Sequence, residues 1–208
     1  ATLASPQSVG MASGEYMPWF AFGPGQELPG DQQEEDAGSL VFDSDCLEAP
    51  LEILGCASVA VELASDKPQA LLAVRLCDVW PDGASTLITR GLLNLSQRES
   101  KAAPSKLVPG ECYRVTVSLN HVAYAVPAGH RLRVALSTSY WPMAWPAPEH
   151  AKLSLFAPFS RLSLPLRAAE AIDAPAPEFA KPTAPEPEPP LEQIRVPQEQ
   201  RELRQDPR

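Results

Sequence analysis

Proline, glycine, aspartate and asparagine divide the chain between Ser39 and about Leu166 into apolar segments of strand length. In chain order the segments read SLVFDS, LEILG, SVAVELAS, QALLAVRLCDVW, STLITRGLLNLS, ECYRVTVSLN, RLRVALSTS and AKLSLF. Several alternate between apolar and polar residues, which is the period of a half-buried strand. WPDGAS and VPAGHR supply turns between consecutive segments. About eight such segments without a helical period predict an all-β fold, an antiparallel β-sandwich of the jelly-roll type.

The two ends of the chain differ from this central pattern. We predict an N-terminal arm over residues 1–38, the sandwich over 39–166, and an extended or disordered tail rich in proline and glutamate over 167–208. The arm carries several aromatic residues whose apolar area needs a partner surface, namely Tyr16, Trp19, Phe20 and Phe22.

Charge and cysteine usage exclude some classes of protein. The net charge is −9 and no cluster of Lys and Arg occurs, which argues against nucleic-acid binding. No apolar run approaches the roughly 18 residues of a membrane span, and the start has no signal-peptide pattern. The four cysteines are far apart and lack metal-ligand spacing, so we expect buried free thiols, with Cys56 and Cys77 in apolar runs, and a cytoplasmic protein; disulfides or metal ligation are the alternatives.

Catalytic motifs are missing from the sequence. A serine hydrolase of the α/β type needs a Gly-x-Ser-x-Gly elbow, and none is present. The spacing of His121, His130 and His150 fits no zinc site, triad or phosphate loop, so a structural role is expected for each. We therefore predict no catalytic triad, no metal and no cofactor in this chain.

Charged residues suggest two further interpretations. The acidic runs at residues 31–36 and 43–45 are read as solvated faces, with calcium ligation as the alternative. Arg75 and Arg90 stand in apolar strand segments, where internal ion pairs are expected and binding of a substrate carboxylate is the alternative.

An aromatic loop, SYWPMAWPAPEH, follows one of the predicted strands. Its prolines exclude a helix or a central strand. Tyr140, Trp141 and Trp145 either close one end of the core or face a binding partner.

Several stretches together resemble a known family. They are DVWPDG, TRGLLNL, LVPGE, PAGHRLRVALSTS and YWPMAWP, and their order and spacing over residues 39 to about 160 are similar to the C-terminal domain of the X-prolyl dipeptidyl-peptidase and cocaine-esterase (CocE/NonD) superfamily of acyl hydrolases. The resemblance implies a galactose-binding-like jelly roll behind an α/β-hydrolase domain of the same polypeptide. That domain would carry the catalytic serine, aspartate and histidine and would bind a small ester or amide substrate.

The resemblance also implies roles for the aromatic residues. Tyr16, Trp19 and Phe20 correspond to residues that approach the acyl pocket, and the loop from Ser139 to Trp145 would face the hydrolase domain or the cleft entrance. The predicted contacts to the substrate cleft or the hydrolase domain are therefore six residues: Tyr16, Trp19, Phe20, Tyr140, Trp141 and Trp145.

Three functions compete at this point. The favoured one is a non-catalytic accessory domain of a serine acyl hydrolase of the esterase, X-Pro dipeptidyl-peptidase or acylase type, which helps to wall the substrate cleft. The second is a carbohydrate-binding module with an aromatic platform at Tyr140, Trp141 and Trp145. The third is an assembly module that holds a homo-oligomer together through residues 11–38.

Overall fold

Antiparallel strands form two sheets in the computed structural model, which describes residues 1–14 and 28–168 together with 178, 180 and 181. The strands are β1 (Thr2–Leu3), β2 (Leu40–Asp43), β3 (Leu51–Ser65), β4 (Leu71–Val79), β5 (Ser85–Asn94), β6 (Cys112–Val126), β7 (Arg131–Ser137), β8 (Leu153–Leu155) and β9 (Arg161–Ser163). One α-helix, α1 (Gln33–Ala37), and three short 3-10 turns (Met11–Ser13, Leu95–Gln97, Ala157–Phe159) complete the described elements. The prediction of an all-β sandwich is confirmed.

The strand order reveals a nested pairing. The first sheet has the order β1-β8-β3-β6, with β9 also paired to β3, and the second has the order β2-β7-β4-β5. Strand β1 thus pairs with β8, β2 with β7, β3 with β6, and β4 with β5. A long hairpin rolled into two sheets pairs its strands in this way, and the jelly-roll type stays a prediction. The galactose-binding-like subclass stays a prediction, as do the boundaries at residues 38 and 166.

Some strands differ from the predicted segments. LEILG and SVAVELAS form one long strand, β3, whose register with β6 shifts between Cys56 and Ser58. Strand β6 runs beyond the predicted segment to Val126, and the short strands β1 and β9 were not predicted. Two or three residues carry too little periodicity to predict a strand, so only the pairing with β8 and β3 defines these short elements.

The core lies between the sheets, and a second apolar layer covers the outside of the second sheet. In β4 every residue is buried: Leu72, Val74 and Leu76 face the core. The alternate positions, which include Leu71 and Ala73, pack under residues of the N-terminal segment. A strand covered on both faces reads as a continuous apolar run, as LLAVRLCDV does.

The cysteines are free thiols in the structure, as predicted. Cys77 is buried in β4, and this burial raises the pKa of its thiol to about 12. Burial of Cys56 was the wrong expectation, because this residue lies on the exposed face of β3 and its thiol donates to the Leu119 carbonyl at 2.9 Å. The apolar run around Cys56 reflects its buried neighbours rather than its own environment.

Candidate domain-contact surface

The aromatic loop, residues 139–150, follows β7 and carries three of the predicted site residues. Tyr140 is fully buried, Trp141 is half-buried and Trp145 is 83% exposed. The indole rings of Trp141 and Trp145 meet edge to face, with centroids 5.4 Å apart and planes at 75°. The loop therefore combines a buried base with an exposed aromatic tip.

Residues distant in sequence hold the base of this loop. Tyr140 packs with Val9, Leu71 and Ala73 on the outer face of the second sheet. The amide of Trp141 donates to the Val9 carbonyl at 2.8 Å. Burial raises the pKa of the Tyr140 hydroxyl, as expected for a phenol in an apolar layer. The loop and the N-terminal segment therefore form one packed unit.

Two open cavities flank the exposed part of the loop. One of about 400 Å³ is lined by residues that include Leu71, Asn94 and Trp145. The other, of about 470 Å³, is lined by residues that include Arg90 and Pro142. The loop thus stands as a ridge between two concave, largely apolar surfaces.

The geometry of the aromatic pair bears on the carbohydrate-binding alternative. A sugar-stacking platform needs aromatic faces that are exposed and coplanar. Trp141 and Trp145 are nearly perpendicular, and Tyr140 is buried beneath them. These three residues do not form the platform on which that alternative depends.

The other predicted site residues lie outside the described residues: Tyr16, Trp19 and Phe20. The chain on either side of them is described. A Cβ on Gly14 would lie 2.7 Å from the backbone nitrogen of Pro29, so the two flanks are adjacent. Arg90 donates to the Ser13 carbonyl at 2.8 Å, and its guanidinium carbon lies 6.0 Å from the centre of the Tyr140 ring. The flanks therefore lie beside the base of the aromatic loop.

An ion cluster, defined as Arg75, Arg133, Asp36 and Asp43, ties α1 to the second sheet. Arg75 is 1% exposed at the middle of β4, and its Nη2 lies 2.9 Å from Asp36 Oδ1. Arg133 in β7 contacts Asp36 Oδ2 at 2.9 Å and forms a two-point contact with Asp43 at 2.7 Å. The hydrogen bond from Arg133 lowers the pKa of Asp43. The predicted internal ion pair of Arg75 is confirmed.

Several residues of the two acidic runs bind other groups of the protein. Asp36 and Asp43 bind arginines, and Asp31 Oδ1 accepts the amide of Ser85 at 3.0 Å, which lowers the pKa of Asp31. Reading both runs as solvated faces was therefore wrong for Glu35 and Asp36, which are buried. In the described ranges, no group of three or more His, Cys, Asp or Glu residues is placed to hold a metal ion.

A second polar cluster closes the opposite end of β4. His130 Nδ1 lies 2.8 Å from Asp78 Oδ1, and the Tyr124 hydroxyl donates to Asp78 Oδ2 at 2.9 Å. The Trp80 ring lies 5.2 Å from the His130 ring. Asp78 in β4 links β6 of the first sheet to the turn that precedes β7 of the second, so the predicted structural role of His130 has a physical basis. The signal for Asp78 in the sequence was a carboxylate at the end of an apolar strand.

We expect this cluster to make the stability sensitive to alkaline pH. Burial and the hydrogen bond to Asp78 raise the pKa of Tyr124 to about 12, from a usual value near 10. The neutral phenol is therefore favoured in the folded state, and its contribution to stability is complete below about pH 10 and is lost between pH 10 and 12. Urea unfolding at pH 9 to 11.5 should show wild type losing its advantage over Tyr124→Phe as the pH rises. A constant difference between the two proteins over this range would contradict the assignment.

Comparison with known proteins places this structure in a family. Residues 1–175 match the family described as the X-Pro dipeptidyl-peptidase C-terminal non-catalytic domain. The chain belongs to this family. The resemblance predicted from the sequence is thereby confirmed, and this non-catalytic domain of X-Pro dipeptidyl-peptidase and CocE-type hydrolases is an all-β sandwich.

Individual proteins that are similar to this X-Pro dipeptidyl-peptidase C-terminal domain support the family assignment. The cocaine esterase of Rhodococcus sp. (strain MB1 Bresler) is 27% identical over 120 residues, which cover 57% of this chain and 21% of the esterase. A solved α-amino acid ester hydrolase superposes with a TM-score of 0.69 at 20% identity, over 80% of this chain and 32% of that one. A solved aminopeptidase from a marine sediment Thaumarchaeota archaeon gives a TM-score of 0.68 at 19% identity, over 81% of this chain and 33% of that one. The two structural matches establish a shared fold.

The domain corresponds to a minor part of each of these proteins. The matched region spans about a fifth of the cocaine esterase and about a third of each solved chain. Helices in the described part of the domain lack the length and apolar character that crossing a membrane would require.

Proposed function

We propose that this domain packs through its aromatic loop against a preceding α/β-hydrolase domain of the same polypeptide and helps to wall the substrate cleft of a serine acyl hydrolase. The family is non-catalytic by its description, so the chemistry would belong to the preceding domain. The relatives named above are an esterase, an amino acid ester hydrolase and an aminopeptidase, which supports a small ester or amide as the substrate.

The observation that carries this proposal is the exposed Trp145 on a loop with a buried base. The 83% exposed indole belongs to a loop flanked by two largely apolar cavities, and contiguous apolar surface of this kind marks interaction sites. Because the base of the loop is already packed against Val9 and Leu71, little conformational entropy is lost when the tip is buried. Tryptophan in such a position is a common anchor of protein interfaces.

The described residues on either side of the segment that carries Tyr16, Trp19 and Phe20 support the same location. Ser13 and Gly14 precede the segment that carries Tyr16, Trp19 and Phe20, and they lie beside Arg90. Arg90 in turn faces the ring of Tyr140 at the base of the loop. The described residues that flank this segment therefore lie beside the base of the aromatic loop, which supports a shared contact surface.

Replacing Trp145 with alanine is expected to weaken the association of the two domains about 30-fold, the effect of losing one interface anchor worth about 2 kcal/mol. The test expresses the in-frame segment encoded upstream of Ala1 as a separate protein and measures its affinity for this chain by isothermal titration calorimetry. Trp80→Ala is the matched control, because Trp80 is 45% exposed but lies at the opposite end of β4.

Equal affinities for Trp145→Ala and wild type would reject the aromatic loop as the contact surface. An upstream reading frame without a Gly-x-Ser-x-Gly elbow would reject the hydrolase partner itself. A matching loss in Trp80→Ala would point to general destabilisation instead of a local contact.

A further inference from the structure

The carboxylate of Glu35 binds the N-terminal turn that supports the aromatic loop. Glu35 lies in α1 and is only 4% exposed. Its Oε2 accepts the amide of Gly10 at 2.5 Å, and its Oε1 accepts the amide of Ala12 at 2.6 Å. Hydrogen bonds to a charged acceptor are roughly twice as strong as neutral ones. Both oxygens of Glu35 therefore hold the turn from the side of α1.

The opposite side of the same turn touches the aromatic loop. A Cβ on Gly10 would lie 2.4 Å from the carbonyl oxygen of Trp141, and the Val9 carbonyl accepts the amide of Trp141. At the end of α1, a Cβ on Gly38 would lie 2.5 Å from a methyl group of Val9. The turn thus contacts α1 on one side and the aromatic loop on the other, and close-packed contacts pass a displacement on to their neighbours.

The helix that carries Glu35 is itself fixed to the middle of the second sheet. Asp36 pairs with Arg75, and Arg75 Nη1 donates to Gln32 Oε1 at 3.0 Å. Gln32 is fully buried, and its amide group donates to the carbonyls of Ala12 and Gly30 at 2.8 and 2.9 Å. A continuous series of short contacts therefore runs from β4 through α1 and the turn to the aromatic loop.

We infer that Glu35 is a positioning residue that sets the orientation of Trp141, and through it Trp145, on the exposed surface. Its importance for a substrate cleft rests on the proposed function, but the coupling between Glu35 and the loop does not. Glutamine cannot replace it, because one of its two terminal groups is a donor. In Glu35→Gln that amino group would face the N–H of Gly10 or Ala12, donor against donor.

The coupling can be tested on this chain alone with 5-fluorotryptophan and ¹⁹F NMR, with resonances assigned by single Trp→Phe variants. Glu35→Gln is expected to shift the resonances of Trp141 and Trp145 and to leave that of Trp80 unchanged. Glu34→Gln is the matched control, since Glu34 is the exposed neighbour on α1 and should leave all three resonances in place.

Two results would overturn the inference. One is a folded Glu35→Gln variant with Trp141 at its wild-type shift, and the other is an equal change at Trp80, which would indicate general loosening. If Glu35→Gln does not fold, Glu35→Asp tests the same coupling, because its shorter side chain displaces the turn and should shift the resonances of Trp141 and Trp145 but leave that of Trp80 unchanged. Failure of the domain-association experiment would leave this result standing, so the two proposals are tested separately.

Discussion

The Asp36→Asn variant is expected to lose about 3–5 kcal/mol of unfolding free energy, because it leaves a buried arginine without a counter-charge. Arg75 is 1% exposed, and Asp36 is the acid with which it pairs. After the substitution, Arg75 would have neutral acceptors alone, namely Gln32 Oε1 and Ser39 Oγ at 3.0 and 3.1 Å and the amide oxygen of the new side chain. Neutral acceptors do not compensate the cost of removing a guanidinium from water.

Urea unfolding followed by circular dichroism measures this loss, and Asp43→Asn is the matched control. Asp43 binds the other arginine of the cluster, Arg133, but lies on the exposed edge strand β2. Arg133 keeps its contact with Asp36 in that variant, so the expected loss is no more than about 1 kcal/mol. Equal losses in the two variants would mean that burial of Arg75 does not control the energetics of the cluster.

The Gly10→Ala variant is expected to lose a comparable amount of stability, for a steric reason. Gly10 has φ of +113°, a conformation that costs an L-residue about 1–3 kcal/mol. Its new Cβ would also lie 2.4 and 2.6 Å from backbone atoms of Trp141, which cannot rotate away as a side chain would. Forcing the turn and the aromatic loop apart adds roughly 1–3 kcal/mol.

A second glycine separates the loss of stability due to backbone strain from the loss due to the steric clash. Gly83, in the turn between β4 and β5, has φ of +96°, but no atom lies within 4 Å of the position a Cβ would take. Gly83→Ala should therefore show the strain alone, and the difference in urea midpoint between the two variants reports the clash with Trp141. A Gly83→Ala variant as unstable as Gly10→Ala would remove the evidence for close packing beneath the loop.

Much of the fold could be predicted from the sequence because strand periodicity and turn chemistry are local properties. The alternation around Val115 and Val117 predicted β6, and these residues are buried as the pattern requires. An arginine in the apolar strand β4 predicted an ion pair, since a buried charge must be compensated. The same reasoning predicted an ion pair for Arg90, whose described contact is instead the carbonyl of Ser13.

Less of the candidate surface could be predicted from the sequence. The sequence of residues 139–150 predicted an aromatic loop but could not tell which of its aromatic residues are exposed. In the structure Tyr140 is fully buried, whereas Trp145 is 83% exposed. Glu35 lay within an acidic run that resembled a solvated face, and it binds two amides that are more than twenty residues away in the chain. Nothing local to Glu35 distinguishes it from its exposed neighbour Glu34.

By itself the sequence determined the fold class, the family resemblance and the positions of the main strands and turns, all of which depend on short-range pattern. The tertiary structure alone decided which acid pairs with Arg75, which aromatic residue of the loop stays exposed, and how the N-terminal segment covers the second sheet. These features depend on contacts between residues that are far apart in the chain, such as Ser5 and Thr138, which are separated by 133 positions. Such contacts arise only when the strands have paired, because each partner alone is an ordinary polar or apolar residue in its own segment.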